Sequence, residues 1–136
     1  MKFLLDTDTF ISYLRRRESQ AARRVASLAP GNVTLCSVVK AELFYGVRRA
    51  LRPETEEVKL RAFLSGFSSL PFDDRAAEQY GRLRAQLAAQ GTPVGPNDLM
   101  IAAIAVANDL TLVTHNTREF SRIEGLRLED WETPLA

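Results

Sequence analysis

Three short apolar runs, Phe3-Leu4-Leu5, Val33-Thr34-Leu35-Cys36 and Leu110-Thr111-Leu112-Val113-Thr114, stand far apart in the chain. Stretches with helical apolar spacing separate them. Strands divided in this way do not close as tight hairpins; they pair in parallel through helical crossovers. The expected fold class is therefore α/β: a three-layer α/β/α sandwich around a short, mainly parallel sheet. Residues 126–128 read as a weak last strand, and Leu70-Pro71-Phe72 as a short extended segment.

Helices are expected over 9–16 and 19–28, the second ended by Ala29-Pro30-Gly31-Asn32. Ser37 is a plausible N-cap for a helix reaching about residue 51, stopped before Pro53. Residues 54–68 carry apolar side chains at Val58, Leu60, Phe63, Leu64 and Phe67, a helical period. Asp73 or Asp74 caps a helix running to about residue 90. Residues 98–108 are apolar nearly all round, which predicts a buried helix.

A chain of 136 residues with 46% hydrophobic content fits one domain, 1–136, able to bury a core without disulfides. The single cysteine, Cys36, excludes an internal disulfide and a cysteine zinc cluster, and its apolar neighbours make it a core thiol. Only three apolar residues follow Lys2 before Asp6, far short of a signal h-region, and the longest apolar run, 99–107, is about half a membrane span. A soluble, cytoplasmic protein with no membrane partner is the expectation. Net charge is +1, but three of the 18 basic residues are lysines and the other fifteen arginines, clustered as Arg15-Arg16-Arg17, Arg23-Arg24, and Arg48-Arg49 with Arg52. Arg15, Arg16, Arg48 and Arg49 are candidates for substrate phosphates; a solvated surface or an acidic protein partner would account for them equally well.

The acids carry the chemistry. Asp6 ends the first apolar run, Glu42 lies about one turn into the helix after the second, Asp98 opens the apolar helix, and Asn116 and Glu119 follow the third run. In an open parallel sheet, ligands bind outside the carboxyl ends of the strands. Asp6 and Asn116 fall on that edge, with Glu42 near it, and a helix start helps keep Asp98 ionised. Acids that meet there without a cation repel and raise one another's pKa. Mg²⁺ or Mn²⁺ reverses this by taking oxygen ligands, and no His or Cys cluster invites a softer metal. His115 is a lone histidine, read as a surface or substrate-side residue.

Four blocks, in this order and at these separations, resemble the PIN-domain ribonucleases of the VapC toxin class over nearly the whole chain. They are Phe3-Leu4-Leu5-Asp6-Thr7-Asp8-Thr9, Ala41-Glu42-Leu43-Phe44-Tyr45-Gly46, the stretch from Gly91 to Ala103 around Pro96-Asn97-Asp98, and Leu112-Val113-Thr114-His115-Asn116-Thr117-Arg118-Glu119-Phe120 followed by Glu129-Asp130-Trp131. The resemblance implies an endoribonuclease dependent on Mg²⁺ or Mn²⁺, the toxin of a type II toxin–antitoxin pair. It implies cleavage of tRNA or another structured RNA by metal-activated water, restraint by a VapB-type antitoxin, and a homodimer. By position, Asp6, Glu42 and Asp98 are the catalytic, metal-binding acids. Many relatives carry Asp where this chain has Asn116; Glu119 is a candidate substitute, or else a surface partner of Arg118 or Arg122. Relatives commonly have Asn at Asp8, which reads here as the cap of the following helix, while Thr7, Thr9 and Ser37 could order the site by hydrogen bonds. Phe10, Tyr13, Leu14, Phe44 and Tyr45 read mostly as core.

Two alternatives accompany this reading. Asp6-Thr7-Asp8-Thr9 also resembles the opening of haloacid dehalogenase-type phosphatases, with Asp6 as nucleophile and Asp8 as acid/base, but that family needs a late lysine and the lysines here are Lys2, Lys40 and Lys59. A catalytically weak PIN-like binding module is the other, with Asn116 as its hint.

Overall fold

The computed structural model describes residues 1–16, 18–29 and 31–132. Arg17 of the arginine run and Pro30 of the turn after the second helix lie outside them. The elements are β1 (Phe3–Leu5), α1 (Thr7–Arg15), α2 (Gln20–Ser27), β2 (Val33–Cys36), α3 (Ser37–Arg48), α4 (Pro53–Leu64), β3 (Ser68–Leu70), α5 (Asp74–Gln90), α6 (Pro96–Ala107), β4 (Thr111–Val113), α7 (Thr117–Phe120) and β5 (Arg127–Glu129). The five strands form one sheet in the order β3-β2-β1-β4-β5, and every pair is parallel. An α/β architecture follows, as the alternation of short apolar runs and helices predicts.

β1 sits at the centre, with Phe3 in register with Val33 on one side and Thr111 on the other. Its three residues, and those of β2 and β4, are buried, which explains why these runs are continuously apolar or Thr-bearing rather than alternating. The outer strands β3 and β5 are half exposed and read weakly for that reason. Ser68–Leu70 is a true edge strand where only an extended 70–72 segment is expected. Its two serines lack apolar signal, and it is held by pairing with Thr34 and Leu35 and by the Thr34 hydroxyl donating to Ser68 O (3.0 Å).

α6 is the buried helix its composition predicts: Leu99, Ile101, Ala102, Ala103, Ile104 and Ala105 are all in the core. Its start is tightly specified. Gly91 ends α5 in the left-handed conformation (φ 69°), where Thr92 N–H returns to Leu87 O (3.0 Å), and Pro96 stands at the first helical position after the cap Gly95. The end of β5 is pinned as well. The Trp131 ring stacks edge-on to Phe3 (5.1 Å between centroids), its indole N–H donates to Glu129 (3.0 Å), and Arg24 of α2 pairs with the same carboxylate (2.9 Å).

Several local expectations need correction. α1 begins at Thr7 because Asp6, not Asp8, is its N-cap; Asp8 is exposed in the first turn. α3 is capped by Cys36 without a side-chain bond, and the Ser37 hydroxyl donates instead to Leu70 O across to β3 (3.4 Å). α3 and α4 end earlier than expected, at Arg48 and Leu64, and α7 is an unexpected single turn. Tyr45 is 65% exposed, and of the apolar set on α4 only Leu60 and Leu64 are buried, with Val58 71% exposed and Phe63 43%. Phe10 is core; Tyr13, Leu14 and Phe44 pack against it half-buried.

Removing side-chain volume from α6 should be costly. Ile104→Ala is expected to lower the unfolding free energy by roughly 2–5 kcal/mol, whereas Leu51→Ala, at a residue 98% exposed, should stay within about 0.5 kcal/mol. Urea denaturation of the two variants checks the contrast.

Candidate active site

The parallel sheet delivers the ends of β1, β2 and β4 to one edge. Asp6 follows β1 directly; it is only 6% exposed, and its Oδ1 accepts the Thr9 N–H (2.9 Å). Burial raises its pKa above the usual 3.8, while the Thr114 hydroxyl at the end of β4 and the Thr9 N–H pull it back. Thr114 is a site residue that the sequence reading passes over. Its signal is a hydroxyl at the last buried position of an apolar strand, and it also accepts the Asn116 N–H (3.0 Å).

Glu42 faces this edge half-buried from the middle of α3, and Oε1 accepts the Thr7 hydroxyl (2.6 Å). Asp98 is the third residue of α6 and half-buried. Burial first, then the negative charges of Glu119, Glu42, Asp6 and Asp8, push its pKa from 3.8 to about 6. The helix start was expected to keep it ionised. That contribution is worth about half a pKa unit and is outweighed.

Glu119 spends both oxygens locally. Oε1 accepts the Gly95 N–H (3.1 Å), the backbone group that caps α6, and Oε2 accepts the Asn116 amide (2.7 Å). It therefore ties α7 to the start of the helix that carries Asp98. Among the described residues it makes no ion pair with Arg118 or Arg122. Asn116 is exposed and donates its amide to Glu119.

The donors suit a hard divalent cation. The charges that raise the pKa of Asp98 are those of Glu119, Glu42, Asp6 and Asp8, and every candidate ligand atom is oxygen. The acids share one field without crowding. Among the described residues, the ligating atoms that gather within 4.8 Å of one another are those of His115, Asp130 and Glu132, not those of Asp6, Glu42 and Asp98. Like charges keep apart, and Thr7 holds Glu42 to one side. His115 is 63% exposed, with Nδ1 3.0 Å from the Asp130 carboxylate.

The arginine candidates divide. Arg48 pairs with Glu57 (2.9 Å) and Arg49 lies over the Tyr45 ring, so both are engaged on α3 and its end. Arg15 and Arg16 are exposed at the end of α1 and line an open cavity whose wall holds none of Asp6, Glu42 and Asp98, while Arg15 also borders a second cavity that Glu42 lines.

Comparison with known proteins places the chain in a family. The PIN domain family matches residues 3–126. The tRNA(fMet)-specific endonuclease VapC of Salmonella typhimurium is 40% identical over 96% of this chain and 98% of its own length. Ribonuclease VapC2 of Rickettsia felis is 37% identical over 97% and 99%. The crystal structure of DNA-bound VapBC from Salmonella typhimurium superposes with a TM-score of 0.91, at 40% identity over 96% of this chain and 98% of that one.

Ionisation of Asp98 should limit the stability of the metal-free protein. Below pH 3.8 the carboxyl is protonated in folded and unfolded chains alike and costs nothing. Between 3.8 and about 6 the unfolded chain ionises first, so stability falls as pH rises, and above about 6 the loss is complete. With EDTA present, Asp98→Asn should raise Tm over the parent at pH 7.5, and the gap should close as pH is lowered to 4. A gap that does not depend on pH would contradict this.

Proposed function

We propose, from the premise that this chain belongs to the PIN-domain family, that it is an endoribonuclease of the VapC toxin class acting at the edge formed by Asp6, Glu42 and Asp98. The observation that carries the site is the half-buried Asp98 carboxyl standing in the field of Glu119, Glu42, Asp6 and Asp8, which with burial push its pKa up to about 6. A divalent ion, Mg²⁺ or Mn²⁺, supplies there the charge that polarises a phosphoryl oxygen and lowers the pKa of a water. Asp6, Glu42 and Asp98 are the proposed ligands. Asn116 enters through its amide oxygen, and Glu119 acts by fixing both Asn116 and the start of α6 or, in place of the acid many relatives have, by ligation.

Each protein group has a defined task. Thr114 and the Thr9 N–H orient Asp6, and Thr7 orients Glu42, so two carboxylates are fixed before any ligand binds. Attack of a water oxygen on phosphorus forms one P–O bond and breaks the bond to O3′, leaving a 3′-hydroxyl and a 5′-phosphate. The substrate proposed is a tRNA or another structured RNA; two of the relatives named above are an endonuclease specific for tRNA(fMet) and a ribonuclease. The phosphatase alternative is not favoured, since Asp8 is exposed in the first turn of α1 and no lysine follows Lys59.

A protein partner belongs to the same reading. Structural neighbours include VapBC of Salmonella typhimurium and a member of the VapBC family of toxin–antitoxin systems from Mycobacterium tuberculosis, the latter at 29% identity. Tyr45, Leu51, Val58 and Phe63 supply exposed apolar surface on and between α3 and α4 for a VapB-type antitoxin or a homodimer. No described helix is long and apolar enough to cross a membrane, and a cytoplasmic location is part of the proposal.

Asp6→Asn and Asp98→Asn are expected to abolish RNA cleavage by antitoxin-free protein with Mg²⁺ or Mn²⁺ while leaving the circular dichroism spectrum intact. Glu119→Gln should lower activity by about 10–100-fold, as loss of a group that orients metal ligands does. Full activity of Asp98→Asn would overturn the site; absence of RNA cleavage by the parent protein with either metal would favour the binding-module alternative.

A further inference from the structure

The α1–α2 corner holds a second feature that the acid site does not use. An open cavity of about 1090 Å³ lies there, and Arg15, Arg16 and Arg23 line it. All three are exposed, and none of their side chains has a hydrogen bond, ion pair or ring partner among the described residues. The contrast with other arginines is sharp. Arg24, Arg48, Arg61 and Arg127 pair with carboxylates, Arg75 with the Ala107 carbonyl, and Arg82 with Gln79. Of the five arginines without a side-chain partner among the described residues, three line this cavity, while Arg52 and Arg118 stand elsewhere.

The surroundings favour an anion. The first turn of α2 opens on the cavity through Ser19 and Gln20 and carries no acidic residue, so its backbone N–H groups add positive potential. Of the two acids on the wall, Glu132 is already engaged by the Ser12 hydroxyl and His115, leaving Glu18 against three arginines.

The position connects this cavity to the active site. His115 lines it and precedes Asn116, while α1 runs from Asp6 at the acid edge to Arg15 at the cavity. Nine helical residues span roughly 14 Å, about two nucleotide steps of an extended strand.

We propose that this cavity seats backbone phosphates of the RNA substrate about two nucleotides from the scissile bond, held by Arg15, Arg16 and Arg23. This rests on the ribonuclease reading. Phosphates suit it better than an acidic peptide does, because among the described residues Leu14 is the one apolar residue on the wall and peptide docking relies on apolar anchors.

The test uses the full chain carrying Asp98→Asn, so that RNA is bound and not cut, with unfractionated bacterial tRNA and poly-glutamate as probes over 50–200 mM KCl. Arg15→Gln/Arg16→Gln/Arg23→Gln is expected to weaken tRNA binding by roughly tenfold or more at low salt and to make the log–log salt slope shallower by about two, as loss of three phosphate contacts predicts. The corresponding triple lysine variant should keep the slope, which separates charge loss from misfolding, and Arg82→Gln should change neither quantity. With Asp98 restored, the glutamine variant should raise KM for tRNA cleavage with kcat nearly unchanged. An unchanged slope and KM, while the parent protein still cuts tRNA, would overturn the phosphate seat alone. Loss of poly-glutamate binding with tRNA binding retained would assign the cavity to an acidic protein and also overturn it. Failure of the parent protein to cut tRNA would defeat the ribonuclease reading and this seat with it.

Discussion

Because β1 pairs in parallel with β2 on one side and β4 on the other, segments more than a hundred residues apart deliver their next residues to the same sheet edge. Asp6, α3 with Glu42, and the Thr114–Asn116 turn all issue from it. α6 completes the set, since the cap at Gly95 and the proline after it fix where that buried helix begins and so where Asp98 stands. The acid site is thus a consequence of strand direction and one helix start, not of any local motif.

That convergence is electrostatically costly, and the structure shows how the cost is contained. Asp6 is buried but oriented by Thr114 and the Thr9 N–H, and Glu42 is held by Thr7. Glu119 is satisfied by Gly95 and Asn116. Asp98 alone is left with burial and negative neighbours, and it is the group whose pKa rises to about 6. Hydrogen bonds from hydroxyls and backbone N–H groups hold the carboxylates in place; a cation removes the mutual repulsion that remains once Asp98 is ionised.

The parts of this arrangement legible in the sequence are those with a strong apolar signal. The three central strands stand out because they are buried and α6 because its middle is, and Asp6 and Asp98 are conspicuous as acids at their ends. β3 is not legible, because Ser68 and Ser69 carry no apolar signal and the edge strand is held by backbone pairing and hydroxyl hydrogen bonds with β2. The capping roles of Asp6 and Asp8 are exchanged because both lie in a single Asp-Thr-Asp-Thr run, and only the path of the chain decides which one faces the Thr9 N–H. Glu119 is visible as a candidate but its bond to Gly95 spans 24 residues, and the division of the arginines into paired and unpaired depends wholly on tertiary neighbours.

The central claim is that the acids are poised for a divalent cation, with Asp98 keeping its proton up to about pH 6 until the ion displaces it. Isothermal titration of the EDTA-stripped protein with Mn²⁺ at pH 5.5, in buffers of different ionisation enthalpy, measures that proton directly. The account predicts release of roughly three quarters of a proton per bound ion at pH 5.5, falling to near zero at pH 8 and lost in Asp98→Asn. Tight Mn²⁺ binding without proton release at pH 5.5, or the same release from Asp98→Asn, would contradict it.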